Sequence, residues 1–136
     1  MLFKKVHVFR VKPQQELANE ISGYCRQNGI SSGVVIGIIG SVESAKLNFL
    51  KELPGKYEPE EYQGPLEIVC AQGSVAIKEA ELIIHIHIQL AGPDGCRGGH
   101  LVEARVFSTA EVVIAELDHQ LHRYTDQYTG LNELQL

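Results

Sequence analysis

The pattern of apolar and polar positions predicts a protein built mainly from β-strands. Runs rich in β-branched and aromatic residues recur along the chain, at residues 3–11, 33–42, 44–50, 66–77, 82–90 and 100–107. The run over 33–42 contains almost no polar residue, so we expect that strand to be buried on both faces. A glycine inside a strand often marks a bend, and residues 66–77 are therefore expected to bend at Gly73.

One helix is predicted near the N-terminus. Apolar residues with helical spacing follow Pro13, at Leu17, Ile21, Tyr24 and Cys25. Proline is well tolerated in the first turn of a helix, so we expect the helix to start at Pro13. Gly29 is expected to end it, because glycine readily adopts the left-handed conformation that closes a helix.

Two further segments complete the predicted architecture. Residues 51–65 contain three prolines, two glycines and a group of glutamates, which is typical of a solvated surface loop. Residues 108–117 allow a helix, but their β-branched residues favour a strand. A turn near Thr129–Gly130 should precede a short final strand. About seven strands and one clear helix indicate an α+β fold with a largely antiparallel sheet.

Length and charge narrow the class of protein. A chain of 136 residues predicts a single domain over residues 1–136. No apolar run reaches the ~20 residues of a membrane helix, and the N-terminus lacks the features of a signal peptide, so we expect a cytoplasmic protein without a membrane partner. The net charge of −5 and the dispersed basic residues argue against strong nucleic-acid binding. Three scattered cysteines do not form a disulfide framework.

Three histidines form the most informative pattern. His85 and His87 should project from the same face of a strand, roughly 6.5–7 Å apart. The sequence GPDG over residues 92–95 fits a type I turn, and a hairpin centred between its two middle residues would place His87 directly opposite His100. Gly98 and Gly99 could host a bulge that shifts this register.

The chemistry of three imidazoles indicates a metal centre at His85, His87 and His100. Three neutral histidines with an open fourth position are a known zinc arrangement, although nickel, cobalt and iron also accept imidazole. The alternative is a hydrogen-bonded or substrate-binding histidine cluster. Cys96 could add a fourth ligand, whereas His119 and His122 are interpreted as surface residues.

Long stretches of the chain resemble the plants-and-prokaryotes conserved (PPC) domain. The matching segments are GVVIGIIGSVESAKLNF, GPLEIVCAQGSVA, HIHIQLAGPDGCRGGHLVEARVFSTAEVVI and RYTDQYTGLNELQL, so that the resemblance runs from about residue 5 to 136. It implies a mostly antiparallel seven-stranded sheet with flanking helices, assembled as a homotrimer. Members with the three-histidine pattern resemble metal binders. Land-plant members follow an AT-hook and are linked to DNA, but this chain has no AT-hook.

The same resemblance puts forward one carboxylate, Glu67, and strand alternation turns a second, Glu103, to the face opposite His100. Glu67, in GPLEIV, is a candidate for acid/base chemistry or for supporting the metal site, with a structural hydrogen bond as the alternative. Glu103 is assigned to a core edge or a subunit contact.

Three functions therefore compete. We favour a homotrimeric zinc module whose metal is structural or binds a small molecule. The second is a zinc-dependent hydrolase or lyase, in which the metal lowers the pKa of a bound water toward ~7. The third is a DNA-associated regulatory protein.

Overall fold

A single seven-stranded sheet and one helix make up the computed structural model, which describes residues 1–136. The elements in chain order are β1 (Phe3–Val11), α1 (Leu17–Gln27), β2 (Gly33–Glu52), β3 (Lys56–Lys78), β4 (Glu81–Gly92), β5 (Gly95–Leu117), β6 (His122–Thr125) and β7 (Asn132–Gln135). The chain is thus mostly β, and the flanking helices implied by the family resemblance reduce to α1. No helix in it has the length and apolar character needed to cross a bilayer.

The central strands pair in a closed ring. β2 pairs antiparallel with β3 and β5, and β4 pairs antiparallel with the same two strands. β1 lies antiparallel to the C-terminal half of β5. The hairpin of β6 and β7 joins the sheet through one parallel pair, Ile77 with His122, so that it lies beside the end of β3. This hairpin becomes a wall of the candidate site.

Only one of the two faces of β4 packs against the hydrophobic core. Ile86, Ile88 and Leu90 are buried in the main cluster of 22 apolar side chains. Alternating side chains point to opposite faces of a strand, so His85 and His87 lie on the face away from this core. The histidines are therefore surface-facing groups rather than core residues.

Helix α1 buries the predicted apolar stripe, but it begins later than expected. Leu17, Ile21 and Cys25 are fully buried, and burial raises the pKa of the Cys25 thiol to about 11. The helix starts at Leu17 rather than Pro13, because the carboxylate of Glu16 caps it by accepting hydrogen bonds from the first-turn amides. Gly29 ends it as predicted, with φ of +67°.

The prediction of a surface loop over residues 51–65 was wrong. β2 and β3 continue through this segment as a hairpin, whose tip we call the β2–β3 arm (residues 49–60). The arm pairs on one side only, and an edge strand tolerates proline because one row of its backbone groups faces solvent. Residues 108–117, in contrast, form the predicted strand as the last part of β5.

Burial of the strand over 33–42 on both faces was also wrong for this chain. Val35 and Ile38 are buried, whereas Val34, Ile36 and Ile39 are 37%, 45% and 60% exposed. Val6 and Val8 of β1 are exposed as well. Directly paired residues share a face, and pairing through β5 places Val6, Val8, Val34 and Ile39 on one side of the sheet. Ile36 lies at a shift in this register and is exposed beside them, and we call the surface of these five residues the β1–β2 face.

Candidate metal centre

The β4–β5 hairpin has the predicted register. Its pairs run without a shift from Gly92–Gly95 at the turn to His87–His100. Gly98 and Gly99 pair normally with β4, so the bulge that could have displaced His100 does not occur. Because directly opposed side chains share a face, this register places His100 beside His87, with His85 next along the strand.

The three imidazole rings form a compact cluster. Their centroids are 4.8 Å apart for His85 and His100, 5.1 Å for His85 and His87, and 5.6 Å for His87 and His100. One nitrogen of each ring lies within 4.8 Å of the others. Nitrogens bound to one tetrahedral zinc ion at ~2.0–2.1 Å are about 3.4 Å apart, so modest ring rotations would bring all three onto one ion. The cluster could therefore hold a metal ion.

Burial and neighbouring positive charge keep two of the rings uncharged. Burial lowers the pKa of His85 to about 4, with further lowering by His100, Arg123 and His87. Burial also lowers the pKa of His100, and His87 and Arg123 add to this effect. Both rings are thus neutral at pH 7. A neutral imidazole offers the lone pair that a metal needs, so no imidazolium proton has to be released into solvent first.

A crevice of about 610 Å³ opens beside the cluster. His85 and His100 line its floor. The β6–β7 hairpin supplies one wall through Arg123 and Glu133, and Tyr57 of the β2–β3 arm supplies another. The ring of Tyr57 lies 6.1 Å from that of His100. The crevice gives the histidine cluster a neighbouring space of the size that small ligands occupy.

Arg123 is the charged group closest to the cluster. Its Nη2 donates to Ser74 Oγ at 2.7 Å and to His85 Nδ1 at 3.3 Å, and its Nη1 donates to the carbonyl of Asn132. The buried Nε has no acceptor in the chain, and no carboxylate lies within ion-pair distance of the guanidinium. Desolvation lowers the pKa of Arg123 below its usual range, yet an arginine stays charged in proteins.

Glu133 is the one acidic residue that lines the crevice, but it pairs with Tyr124, so its side chain and that of Arg123 leave opposite faces of the β6–β7 hairpin. It is half-buried and accepts a hydrogen bond from Thr129 Oγ1 at 2.7 Å. Neither Arg123 nor Glu133 was predicted as a site residue from the sequence. The only signal in the sequence was that both charged residues lie in the C-terminal segment, where a short final strand was predicted.

Glu67 lies elsewhere within one chain. It is exposed on β3 and pairs with Ala91, about 13 Å beyond His87 along the strand at ~3.3 Å per residue. Cys96 is exposed and also pairs with Ala91, outside the histidine cluster. The structure therefore brings His85, His87 and His100 together but leaves these two residues apart from them.

Three further residues singled out in the sequence lie at the surface. Glu103 is exposed and pairs with Lys46 on β2. His119 and His122 are exposed and lie outside the cluster, as expected for surface residues.

Fold and site together define a β-rich protein with three clustered histidines that could hold a metal ion. The model of the Plants and Prokaryotes Conserved (PCC) domain matches residues 2–118. The chain belongs to this family, which confirms the family predicted from the sequence.

Similar proteins differ in how much of their length the chain matches. The Bifunctional protein GlmU of Synechococcus sp. (strain JA-3-3Ab) is 30% identical over 135 residues, which are 97% of this chain and 20% of that protein. The chain thus spans about a fifth of the length of the curated relatives it matches.

Solved structures match over nearly their whole length. A metal-containing protein from Archaeoglobus fulgidus is 27% identical with a TM-score of 0.90, covering 99% of this chain and 96% of that one. A PPC protein from Pyrococcus horikoshii is 26% identical with a TM-score of 0.89, covering 99% and 94%. A provisionally described DNA-binding protein from Bacteroides thetaiotaomicron, at 22% identity, TM-score 0.90 and coverage of 98% and 96%, shows the fold alone.

Proposed function

We propose that residues 1–136 form a metal-binding module in which His85, His87 and His100 hold one divalent ion, with zinc the first candidate. The observation that carries this proposal is the convergence of three imidazole nitrogens from two paired strands within 4.8 Å. The metal-containing relative from Archaeoglobus fulgidus supports it at 27% identity. When bound, the metal would supply a localised positive charge and an open coordination position.

The module is proposed to assemble as a homotrimer through the β1–β2 face. Five large apolar side chains are exposed there in a single chain, and contiguous apolar surface of this kind marks an interaction site. One row of paired residues crosses the sheet from Val6 through Ala115, Val34 and Ser74 to His85. The apolar surface and the histidines therefore share one face of the sheet, and self-association would take place on the side that carries the metal site.

A second candidate is a zinc-dependent hydrolase or lyase acting on a small molecule. The crevice beside His85 and His100 and the half-buried carboxylate of Glu133 favour this candidate. A carboxylate near a metal-bound water could orient it or accept its proton. Within one chain Glu133 is the acidic residue that lines the crevice, whereas Glu67 would have to act from a neighbouring copy.

DNA association has less support. The structural likeness to a provisionally described DNA-binding protein shows the fold alone, and the net charge is −5. Affinity for DNA rests largely on phosphate neutralisation by basic residues. Binding that is measurable at ~50 mM salt and declines steeply as salt rises would restore this function to consideration.

Metal content per chain is the experiment that tests the proposal. Untagged protein should contain about one equivalent of zinc. The double variant His85→Ala/His87→Ala should lose it, and the matched control His119→Ala, which removes an exposed histidine outside the cluster, should retain it. Protein that takes up no metal even after addition of zinc would contradict the proposal.

The enzyme candidate needs a separate comparison. A screen of ester, amide and carbon–carbon cleavage substrates should be run with the zinc-loaded protein and with the double histidine variant. Activity that is present only with metal, and that Glu133→Gln lowers while the zinc content stays the same, would support an enzyme. Activity sensitive only to Glu67→Gln would instead indicate a site completed by a second copy.

A further inference from the structure

We propose that the crevice beside the histidines binds a small organic molecule through its carboxylate, and that Arg123 is the residue that recognises it. This inference deepens the proposed function, because it names the class of ligand for the same site. It rests on the guanidinium and its surroundings, which are present with or without a metal ion.

Arg123 carries a buried charge that no group of the chain compensates. Arg123 is only 9% exposed, and its hydrogen bonds go to the neutral oxygens of Ser74 and Asn132 and to the ring of His85. Its Nε has no acceptor at all. Buried charges in proteins are normally paired, since an isolated ion loses its hydration without compensation. A cation of this kind beside a crevice favours an anionic ligand.

No nearby group of the chain supplies the missing negative charge. Glu133 lines the same crevice, but its carboxylate is hydrogen-bonded to Thr129 and forms no ion pair with Arg123. The histidines are acceptors without negative charge. A divalent ion on the cluster would add positive charge, so metal loading strengthens the preference for an anion.

Apolar side chains form part of the crevice lining near Arg123. Ile83, Leu131 and Leu134 also line the crevice and give it apolar surface next to the guanidinium. A guanidinium N–H pairs strongly with a carboxylate oxygen, and the apolar residues fit a hydrocarbon body attached to that carboxylate. A small carboxylate with a hydrocarbon body can contact both the guanidinium and the apolar side chains, whereas inorganic phosphate can pair only with the guanidinium.

Benzoate and benzamide provide the test, because they have nearly the same shape and differ in charge. Isothermal titration of the wild-type protein, both metal-free and zinc-loaded, should show benzoate binding at least about tenfold tighter than benzamide, as expected for one charge-assisted hydrogen-bonded pair. Arg123→Gln should abolish this preference. The control Arg97→Gln removes an exposed arginine at the β4–β5 turn and should preserve it.

The comparison of ligands on the wild-type protein decides the question even if Arg123→Gln weakens the β6–β7 hairpin. Equal affinity for benzoate and benzamide would overturn the inference. Inorganic phosphate that displaces benzoate with equal affinity would overturn the assignment to organic carboxylates. The two proposals fail separately. Failure of the metal site would appear in the metal content, whereas the carboxylate inference is tested by the preference for benzoate in the metal-free protein.

Discussion

Nη2 of Arg123 lies 3.3 Å from Nδ1 of His85. A guanidinium can only donate hydrogen bonds, so Nδ1 of His85 is the acceptor, and the proton of the neutral ring resides on Nε2. If a metal bound Nε2, the proton would have to move to Nδ1, where it would face the arginine donor. Arg123 and a metal ion therefore compete for His85.

This competition predicts that Arg123→Gln raises the affinity for zinc in the absence of any other ligand. Glutamine removes a neighbouring positive charge, and its carbonyl can accept a hydrogen bond from Nδ1 of a metal-bound His85. A gain of roughly tenfold is expected, which corresponds to about 1.4 kcal/mol. Competition with a chromophoric chelator measures it, with Arg97→Gln as the control. Unchanged or weaker zinc binding in a folded variant would show that the arginine does not compete.

A pH dependence of stability follows from the lowered pKa values of His85 and His100. In the unfolded chain a histidine titrates near 6.5, but the folded-state pKa of His85 is about 4. Between these values the unfolded state binds more protons than the folded state. The free energy of unfolding of the metal-free protein should therefore fall as the pH is lowered from about 6.5 toward about 4.

Urea unfolding at pH 7.5, 6.0 and 5.0 checks this dependence. Hydrogen bonds from Lys4 and His7 lower the pKa of Glu116 from 4.5. Its contribution to the free energy of unfolding is therefore lost mainly below pH 4.5, which is outside the measured series. His85→Gln should flatten the dependence between pH 6.0 and 5.0. A slope that is the same in the variant would assign the effect to other groups.

Gly73→Ala is predicted to destabilise the strand that carries His85. A β-carbon at position 73 would overlap the carbonyl oxygen of His85 on the adjacent strand. The free energy of unfolding should fall by about 2 kcal/mol or more, since the paired backbones must separate. Gly23→Ala is the matched control, because nothing lies near the added atom and the helix should gain about 0.5–1 kcal/mol. Denaturant unfolding measures the free energy of unfolding of both variants. If Gly73→Ala were as stable as Gly23→Ala, position 73 would have room for a β-carbon and the prediction would be wrong.

Ile39→Glu should break the proposed trimer. Ile39 is 60% exposed in a single chain and lies on the β1–β2 face, where a charge would be buried by association. Light scattering coupled to size exclusion should give the mass of three chains for the wild type and of one chain for the variant. Tyr128→Glu, in the β6–β7 connection and 80% exposed, should remain trimeric. A wild-type mass of one chain would remove the trimer from the proposal.

The histidine cluster could be predicted from the sequence because local rules fix it. A two-residue turn sets the register of the hairpin, and the alternation of side chains then decides which residues share a face. His87 and His100 are paired for these two reasons. The helix stripe was predictable on the same kind of local periodicity.

The remainder of the site depends on contacts that no local pattern encodes. Arg123 and Glu133 reach the crevice because β6 joins β3 through the single pair of Ile77 and His122. The β2–β3 arm was predicted to be a loop because prolines and glutamates are common in solvent-exposed loops. An edge hairpin is equally exposed to solvent and accepts the same residues. The outer face of β2 is exposed in a single chain, although its composition suggests burial.

The β6–β7 hairpin begins after residue 118, where the match to the family model ends, whereas all three histidines lie inside the matched region. The candidate metal ligands thus belong to one stretch of the polypeptide. The hairpin residues proposed to recognise the crevice ligand belong to another. Substitutions or changes in length after residue 118 could alter ligand preference while leaving the histidine cluster intact. Such a division lets evolution, or an engineer, retarget the crevice by exchanging a terminal hairpin.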